Sequence, residues 1–187
     1  MPDLRGVSNY AGNEELAYHV LGSAKARDPR CLTVMGGPNY PLVESVQEQF
    51  LRALPKIDVY CQGNTYEGEV AFLELVQRYA ACGLDREELL RAAVPGNHWI
   101  DRTSGAFVRG APVERIRDLD EIPSPYLTGL LDQFLASGYF PLMQIVRGCP
   151  FSCTFCNSGV RENSRTFAHS VENVKADLLW LAEHVSP

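Results

Sequence analysis

Short apolar runs alternate with helix-periodic segments over the first eighty or so residues, and no other property of the sequence restricts the fold as much. Gly6-Val7-Ser8-Asn9-Tyr10 reads as the end of a strand and its loop. Arg30-Cys31-Leu32-Thr33-Val34-Met35 and Ile57-Asp58-Val59-Tyr60-Cys61 read as two further buried strands. Between them, Asn13 begins a helix running to about Lys25, with Glu14 and Glu15 in the first turn where the helix dipole favours acids. Val43, Val46, Phe50 and Leu54 mark the apolar face of a second helix, and Glu67-Gly68-Glu69 opens a third that reaches about Ala81. Such alternation builds βαβ units and a parallel sheet covered by helices on both faces, a doubly wound α/β fold. Three strands make a poor sheet. The opening residues resemble the middle of such a fold, so its first strands are expected to be missing.

From Cys82 the texture changes. Asp85 to Leu90 is a short polar helix, Trp99 to Val108 a small hairpin with a polar turn, and Ala111 to Pro125 a proline-rich linker. Tyr126 to Leu135 is a short helix, and Pro141-Leu142-Met143-Gln144-Ile145-Val146 is long enough for one buried strand. Val171, Val174, Leu178 and Leu181 repeat at helical spacing. Three regions are therefore expected: an α/β domain over 1–82, a small helix, hairpin and linker region over 83–125, and a strand–loop–helix unit over 126–187.

Three of the six cysteines, Cys149, Cys153 and Cys156, lie on the loop between that last strand and helix, spaced Cys-x3-Cys-x2-Cys. Loops at the C-terminal ends of strands are where α/β folds build their sites. Clustered thiols in a reducing compartment point to metal or redox chemistry rather than disulfides. A structural zinc site wants four protein ligands, and the nearest fourth candidate is His169. A four-iron, four-sulfur cluster held by three cysteines keeps one iron open to an external chelate, such as the amino and carboxylate groups of S-adenosylmethionine. A net charge of −6 and a pI near 5.2 speak against a phosphate-binding surface and hence against a nucleic-acid partner. No apolar run approaches the roughly 18 residues of a membrane span, so a cytoplasmic protein without a membrane partner is expected.

Cys149-x3-Cys153-x2-Cys156, with Phe155 before the third cysteine and Arg147-Gly148-Cys149-Pro150 at its start, resembles the signature of the radical S-adenosylmethionine (SAM) enzymes. The loops Gly6–Tyr10, Val34–Asn39 and Gln62–Glu69 resemble the strand-end loops of a Rossmann-like cobalamin (B12)-binding domain. Leu119-Asp120-Glu121-Ile122-Pro123-Ser124-Pro125-Tyr126-Leu127 resembles the linker of the subfamily that joins such a domain to a radical SAM partial TIM barrel. The resemblance implies that Cys149, Cys153 and Cys156 ligate a [4Fe-4S] cluster and that backbone at Phe155 contacts the adenine of SAM. It further implies that Ser8, Gly36 and Gly37 line the cobalamin tail cavity, with Gly63 and Glu67 near its base or corrin edge. For Glu67 and Glu69, placement of acidic charge at a helix N-terminus is an equal reading. The implied activity is radical methyl transfer to, or rearrangement of, a small-molecule substrate, with an external electron donor such as a flavodoxin or ferredoxin.

Departures from the pattern are specific. The Asp-x-His-x-x-Gly string that supplies a cobalt ligand in many cobalamin domains is absent, and only one βα unit of a barrel follows the linker, so a fragment truncated at both ends is expected. An iron–sulfur or zinc module without radical chemistry, and a tRNA-modifying relative, remain alternatives. Cys31, Cys61 and Cys82 read as core thiols, His19, His98 and His184 as surface or packing residues, and Trp99 and Trp180 as packing residues. Arg147, Arg161 and Arg165 flank the cysteine loop and could offset its charge. Asn157 and Ser158 could donate hydrogen bonds to cluster sulfurs.

Overall fold

Side-chain alternation along β2 (Leu32–Gly37) decides the layering. Leu32 and Val34 join one apolar cluster with Val59, Cys61, Leu75, Tyr79, Leu89, Val94 and Trp99. Met35 joins another with Ala17, Leu21, Tyr40, Leu51, Ile57 and Tyr60. The first cluster is roofed by α3 (Gly68–Ala81) and α4 (Arg86–Leu89), the second by α1 (Glu14–Arg27) and α2 (Glu44–Ala53). Helices thus cover both faces, and the fold is doubly wound α/β. The computed structural model describes residues 2–62, 67–156 and 165–185. It divides into two units, Met1–Arg115 and Ile116–Pro187.

In the first unit β1 (Leu4–Ser8), β2 and β3 (Val59–Gln62) are parallel neighbours, with Ser8 opposite Gly36 and Gly37 opposite Gln62. The hairpin β4 (Asn97–Ile100) and β5 (Phe107–Arg109) does not stand apart in a separate region, as the sequence suggested; it extends the same sheet antiparallel to β3, giving the order β1-β2-β3-β4-β5. Asn97, wholly buried, explains why. Its amide donates to Ala71 O on α3 at 2.9 Å and to Pro95 O at 2.7 Å, and its carbonyl accepts from Cys61 Sγ at 2.9 Å. Arg109 meets Glu44 at 2.5 Å, and Arg52 donates to Gly105 O at 2.7 Å, which ties the hairpin to α2.

At the opposite end of β3, the buried carboxylate of Asp58 gathers the chain. It accepts from the Thr33 amide and hydroxyl, both at 2.9 Å, pairs with Lys25, and meets Arg102 at 3.1 Å and Arg86 at 3.8 Å. Burial pulls the Lys25 ammonium below its ordinary range, against the opposing pull of Asp58.

The helices differ in register from the sequence reading. Val43 is the extended N-cap residue of α2 and is exposed, as is Val46; the buried positions are Leu51 and Gln47, whose amide donates to Pro41 O at 2.7 Å. Of the other cysteines, Cys31 and Cys61 are core thiols, the latter pushed up to about 12 by burial, whereas Cys82 is half-buried.

The second unit carries a 3-10 turn (Leu119–Glu121), α5 (Asp132–Ala136), the two-residue strands β6 (Val146–Arg147) and β7 (Phe167–Ala168), and α6 (Val171–His184). The helix expected from Tyr126 begins only at Asp132, because Ser124 caps a tight turn ending in the Gly129 N–H to Tyr126 O bond of 3.0 Å. The run Pro141–Val146 is not the buried strand expected of it. Only its last residue pairs, with β7 alone, and Leu142 is 88% exposed. Leu181 is the buried residue of α6, while Val171 and Leu178 are exposed, since two-residue strands offer little surface to cover them. No helix among the described residues is long and apolar enough to cross a membrane.

Removing Asp58 leaves the mostly buried Lys25 and Arg86 without their buried partner, with Arg102 at the exposed side of the site, so Asp58→Ala is expected to lower the urea-unfolding free energy by about 3–5 kcal/mol. His98 supplies a second expectation. Buried against Tyr40, whose hydroxyl lies 3.2 Å from Nδ1, its imidazole is pulled down to about 4 from 6.5, chiefly by burial and secondarily by Arg109. The unfolded chain therefore binds the proton more readily between those values. Stability is fully present above pH 6.5 and is lost as pH falls through about 4, by up to roughly 3 kcal/mol. Urea midpoints across this range should show the loss, and His98→Gln should flatten it.

Candidate cofactor loops

Three parallel strands deliver their C-terminal loops to one end of the first unit, and two of those loops are interlocked. Asn9, wholly buried, donates from its amide to Asn39 O at 2.9 Å and to Tyr60 Oη at 3.2 Å, and accepts from the Asn39 amide at 3.2 Å. The Tyr60 hydroxyl donates to Gly37 O at 3.1 Å, and the Asn9 N–H donates to Gly36 O at 2.6 Å. The Asn39 amide reaches Glu14 at 3.1 Å, tying the lattice to α1. Burial, aided by the charge of Glu14, keeps the Tyr60 phenol protonated by raising it above its ordinary range, against the opposing pull of the Asn9 hydrogen bond. Its hydroxyl is therefore a fixed donor.

Ser8, Gly36 and Gly37 are brought together here, at adjacent ends of β1 and β2. The glycines answer first to the protein itself. Gly37 has φ +129°, and a Cβ on it would lie 2.5 Å from Asn9 O; one on Gly36 would lie 3.2 Å from Cys61 O. Ser8 is exposed, its carbonyl accepting from the Asn13 amide at 3.2 Å. Glu67 stands at the N-cap of α3, the helix-end position that the sequence also allowed, and is only 1% exposed there. Gly63 lies outside the described residues. Asn9, Asn39 and Tyr60 were not singled out from the sequence; Asn after a strand and before Pro-containing loops is common turn chemistry, and only the fold reveals their mutual contact.

In the second unit the cysteine loop leaves β6 at Arg147 and returns at β7. Gly148, at φ +104°, turns the chain out of the strand into a conformation other residues rarely adopt. Val146 pairs with Ala168 and Arg147 with Phe167, and the His169 N–H donates to Ile145 O at 3.1 Å, closing the base of the loop. Cys149 is half-buried, and Cys153 and Cys156 are exposed and joined by a turn in which Cys156 N–H donates to Cys153 O at 3.2 Å. Phe155 is 91% exposed. All three sulfurs are free thiols. Among the described residues no group of three His, Cys, Asp or Glu side chains is gathered to hold a metal. The donor set suits iron–sulfur or zinc ligation, and sites of this kind are commonly drawn together by the metal itself. His169, the candidate fourth zinc ligand, faces Asp120 instead, with Nδ1 3.3 Å from its carboxylate. Arg165 is exposed beside the loop, while Asn157, Ser158 and Arg161 lie outside the described residues.

A doubly wound unit with glycine-bearing strand ends, followed by a three-thiol loop on a strand–loop–helix unit, is thus the class of architecture the geometry defines. No family model matches the chain. It is 34% identical over 98% of its length to a 2-(S-pantetheinyl)-carbapenam-3-carboxylate methyltransferase of Streptantibioticus cattleyicolor. It is 33% identical, again over 98%, to the cobalamin-dependent radical SAM methyltransferase TokK of Streptomyces tokunonensis. An uncharacterized methyltransferase of Pyrococcus horikoshii is 33% identical over 95% of the chain. The chain spans 26% of each of the first two proteins and 36% of the third. These relatives are, by name, a cobalamin-dependent radical SAM methyltransferase and further methyltransferases.

The interlock at Gly37 generates an expectation. Gly37→Ala forces a left-handed φ on a residue with a Cβ and drives that atom into Asn9, so thermal stability should fall by an amount equivalent to at least about 1–3 kcal/mol. Ser8→Ala, at an exposed position, should leave the melting temperature within the roughly ±0.5 kcal/mol typical of surface changes.

Proposed function

We propose that the chain supplies the cofactor-holding portion of a cobalamin-dependent radical SAM methyltransferase acting on a small-molecule substrate. The observation that carries the reading is the Cys149-x3-Cys153-x2-Cys156 loop, pinned at its base by β6 and β7, in a chain that aligns over 98% of its length with one relative so named and with another named as a methyltransferase. Cys149, Cys153 and Cys156 hold a [4Fe-4S] cluster as thiolates and leave one iron for the amino and carboxylate groups of SAM. A cluster held by these three cysteines would supply the electron for reductive cleavage of SAM. Backbone beside the exposed Phe155 receives the adenine. In the first unit the Ser8, Gly36 and Gly37 loop ends, with Gly63 and Glu67, receive cobalamin, which carries the methyl group. The Asn9–Tyr60 lattice keeps those loop ends in place. The electron comes from an external flavodoxin or ferredoxin, and six unpaired cysteines suit the reducing cytoplasm.

Anaerobic reconstitution of the chain with iron and sulfide tests this directly. The expected product has a broad absorbance near about 400 nm and about four irons per chain, both lost when the three cysteines are replaced by alanine. A single tetrahedral zinc with no visible band would instead establish the zinc module.

A further inference from the structure

The segment Leu119–Tyr126, which begins with the 3-10 turn, carries two prolines and reads as a linker, yet it is bonded like a structural part. Leu119 is wholly buried and Tyr126 nearly so, which anchors both ends. From those anchors it reaches each element that frames the cysteine loop. The Tyr126 hydroxyl donates to Leu142 O at 2.7 Å, on the stretch leading into β6. Ser124 Oγ donates to Asp177 on α6 at 2.5 Å while accepting from the Tyr126 and Leu127 amides. Asp120 Oδ1 accepts from the Ser170 N–H at 3.0 Å and lies 3.3 Å from His169 Nδ1, just where the chain has returned from the loop. The Ser170 bonds foremost hold the Asp120 carboxyl below the usual carboxylate range, so it is a permanent acceptor. A cavity of about 330 Å³ lies among these three contacts, lined by Asp120, Ser124, Tyr126, Leu142, Arg147 and His169 among others.

We infer that Leu119–Tyr126 is a strap that sets the geometry of the cysteine loop, with Asp120 its principal positioning residue, acting through His169 and Ser170. A loop carrying three cysteines within eight residues takes its direction from the two ends that hold it. Tyr126 holds the entering side, Asp120 the returning side, and Ser124 the helix that follows. Asp120 touches no thiol. Its effect is to keep β7 in register with β6 and so fix where Cys149, two residues beyond β6, leaves the strand. In this form the inference rests on the reading of Cys149, Cys153 and Cys156 as cluster ligands.

The test compares the full chain with Asp120→Ala, Asp120→Asn and Tyr126→Phe in two states. In the metal-free chain, hydrogen exchange is followed at residues 167–170 together with the relative rates at which iodoacetamide alkylates the three cysteines. In the chain reconstituted with iron and sulfide and reduced with dithionite, the electron paramagnetic resonance line shape of the cluster is recorded. Asp120→Ala is expected to speed exchange by about tenfold, in keeping with the loss of a charged acceptor. It should also change the alkylation order and the resonance line shape. Asp120→Asn, which keeps an acceptor for Ser170, is expected to restore the line shape in large part, an outcome a loss of folding would not give. Faster exchange with unchanged alkylation and line shape would overturn the positioning role, and so would no change at all. If the wild-type chain takes up no iron, the cluster reading falls, and the alkylation order alone then decides the strap: unaltered in Asp120→Ala, it overturns it.

Discussion

One buried carboxylate holds the doubly wound unit together. Asp58 stands at the foot of β3 and is met by a helix C-terminal lysine, a β2 backbone amide and hydroxyl, the first residue of α4 and the turn of the hairpin. Taking a carboxylate out of water costs several kcal/mol, and the site offsets this only by filling both oxygens. Asp58 Oδ2 serves Thr33 and Lys25, and Oδ1 serves Arg102 and Arg86. Each partner comes from a different element, so a displacement of any one leaves charge unpaired in a dry place. Apolar packing alone would permit the helices to slide over the sheet, whereas this constellation is satisfied in one arrangement.

Because that fastening lies at the N-terminal ends of the strands, the other ends are left for loops. There the constraint is neutral and shorter in reach. Asn9, Asn39 and Tyr60 exchange hydrogen bonds across the β1 and β2 loops, and Gly37 is glycine because Asn9 backbone fills the space a side chain would need. The close approach that requires glycine at Gly37 is made by the protein's own Asn9 backbone. A ligand at these loop ends meets a rim already rigid, which lowers the ordering cost of binding.

The strand and helix pattern of the first unit was legible because Leu32, Val34 and Met35, and Val59, Tyr60 and Cys61, alternate between two apolar clusters, and alternation is a local property. The hairpin was legible as a hairpin, but its membership in the sheet was not. That rests on Asn97 reaching Ala71 and on Arg109 reaching Glu44, pairs separated by 26 and 65 residues. The cysteine loop was legible as a loop between strand and helix, since the spacing of Cys149, Cys153 and Cys156 is written in the chain directly. What supports it was not: Asp120 meets His169 across 49 residues, and neither stands in a motif that announces the other. Apolar runs misled where they were counted as buried. Leu142 and Val146 are exposed because a two-residue pairing cannot cover them, and Val43 because it caps α2 rather than lying within it.

The two units consequently keep their shape by different means. The first has two apolar clusters that exclude water on both faces of a five-stranded sheet, and its polar bonds refine an arrangement that burial already favours. Among the described residues, the second unit contributes three of the buried apolar residues, Leu119, Tyr126 and Leu181, and its other large apolar side chains are half-buried or exposed. Directional bonds from Asp120, Ser124 and Tyr126 therefore carry a larger share of its order. Such bonds specify position more sharply than contact between methyl groups does, because each acts only over a narrow range of distance and angle. For a loop that carries three cysteines within eight residues, that sharpness is the property that matters, and Asp120, Ser124 and Tyr126 supply such bonds from one short stretch of chain.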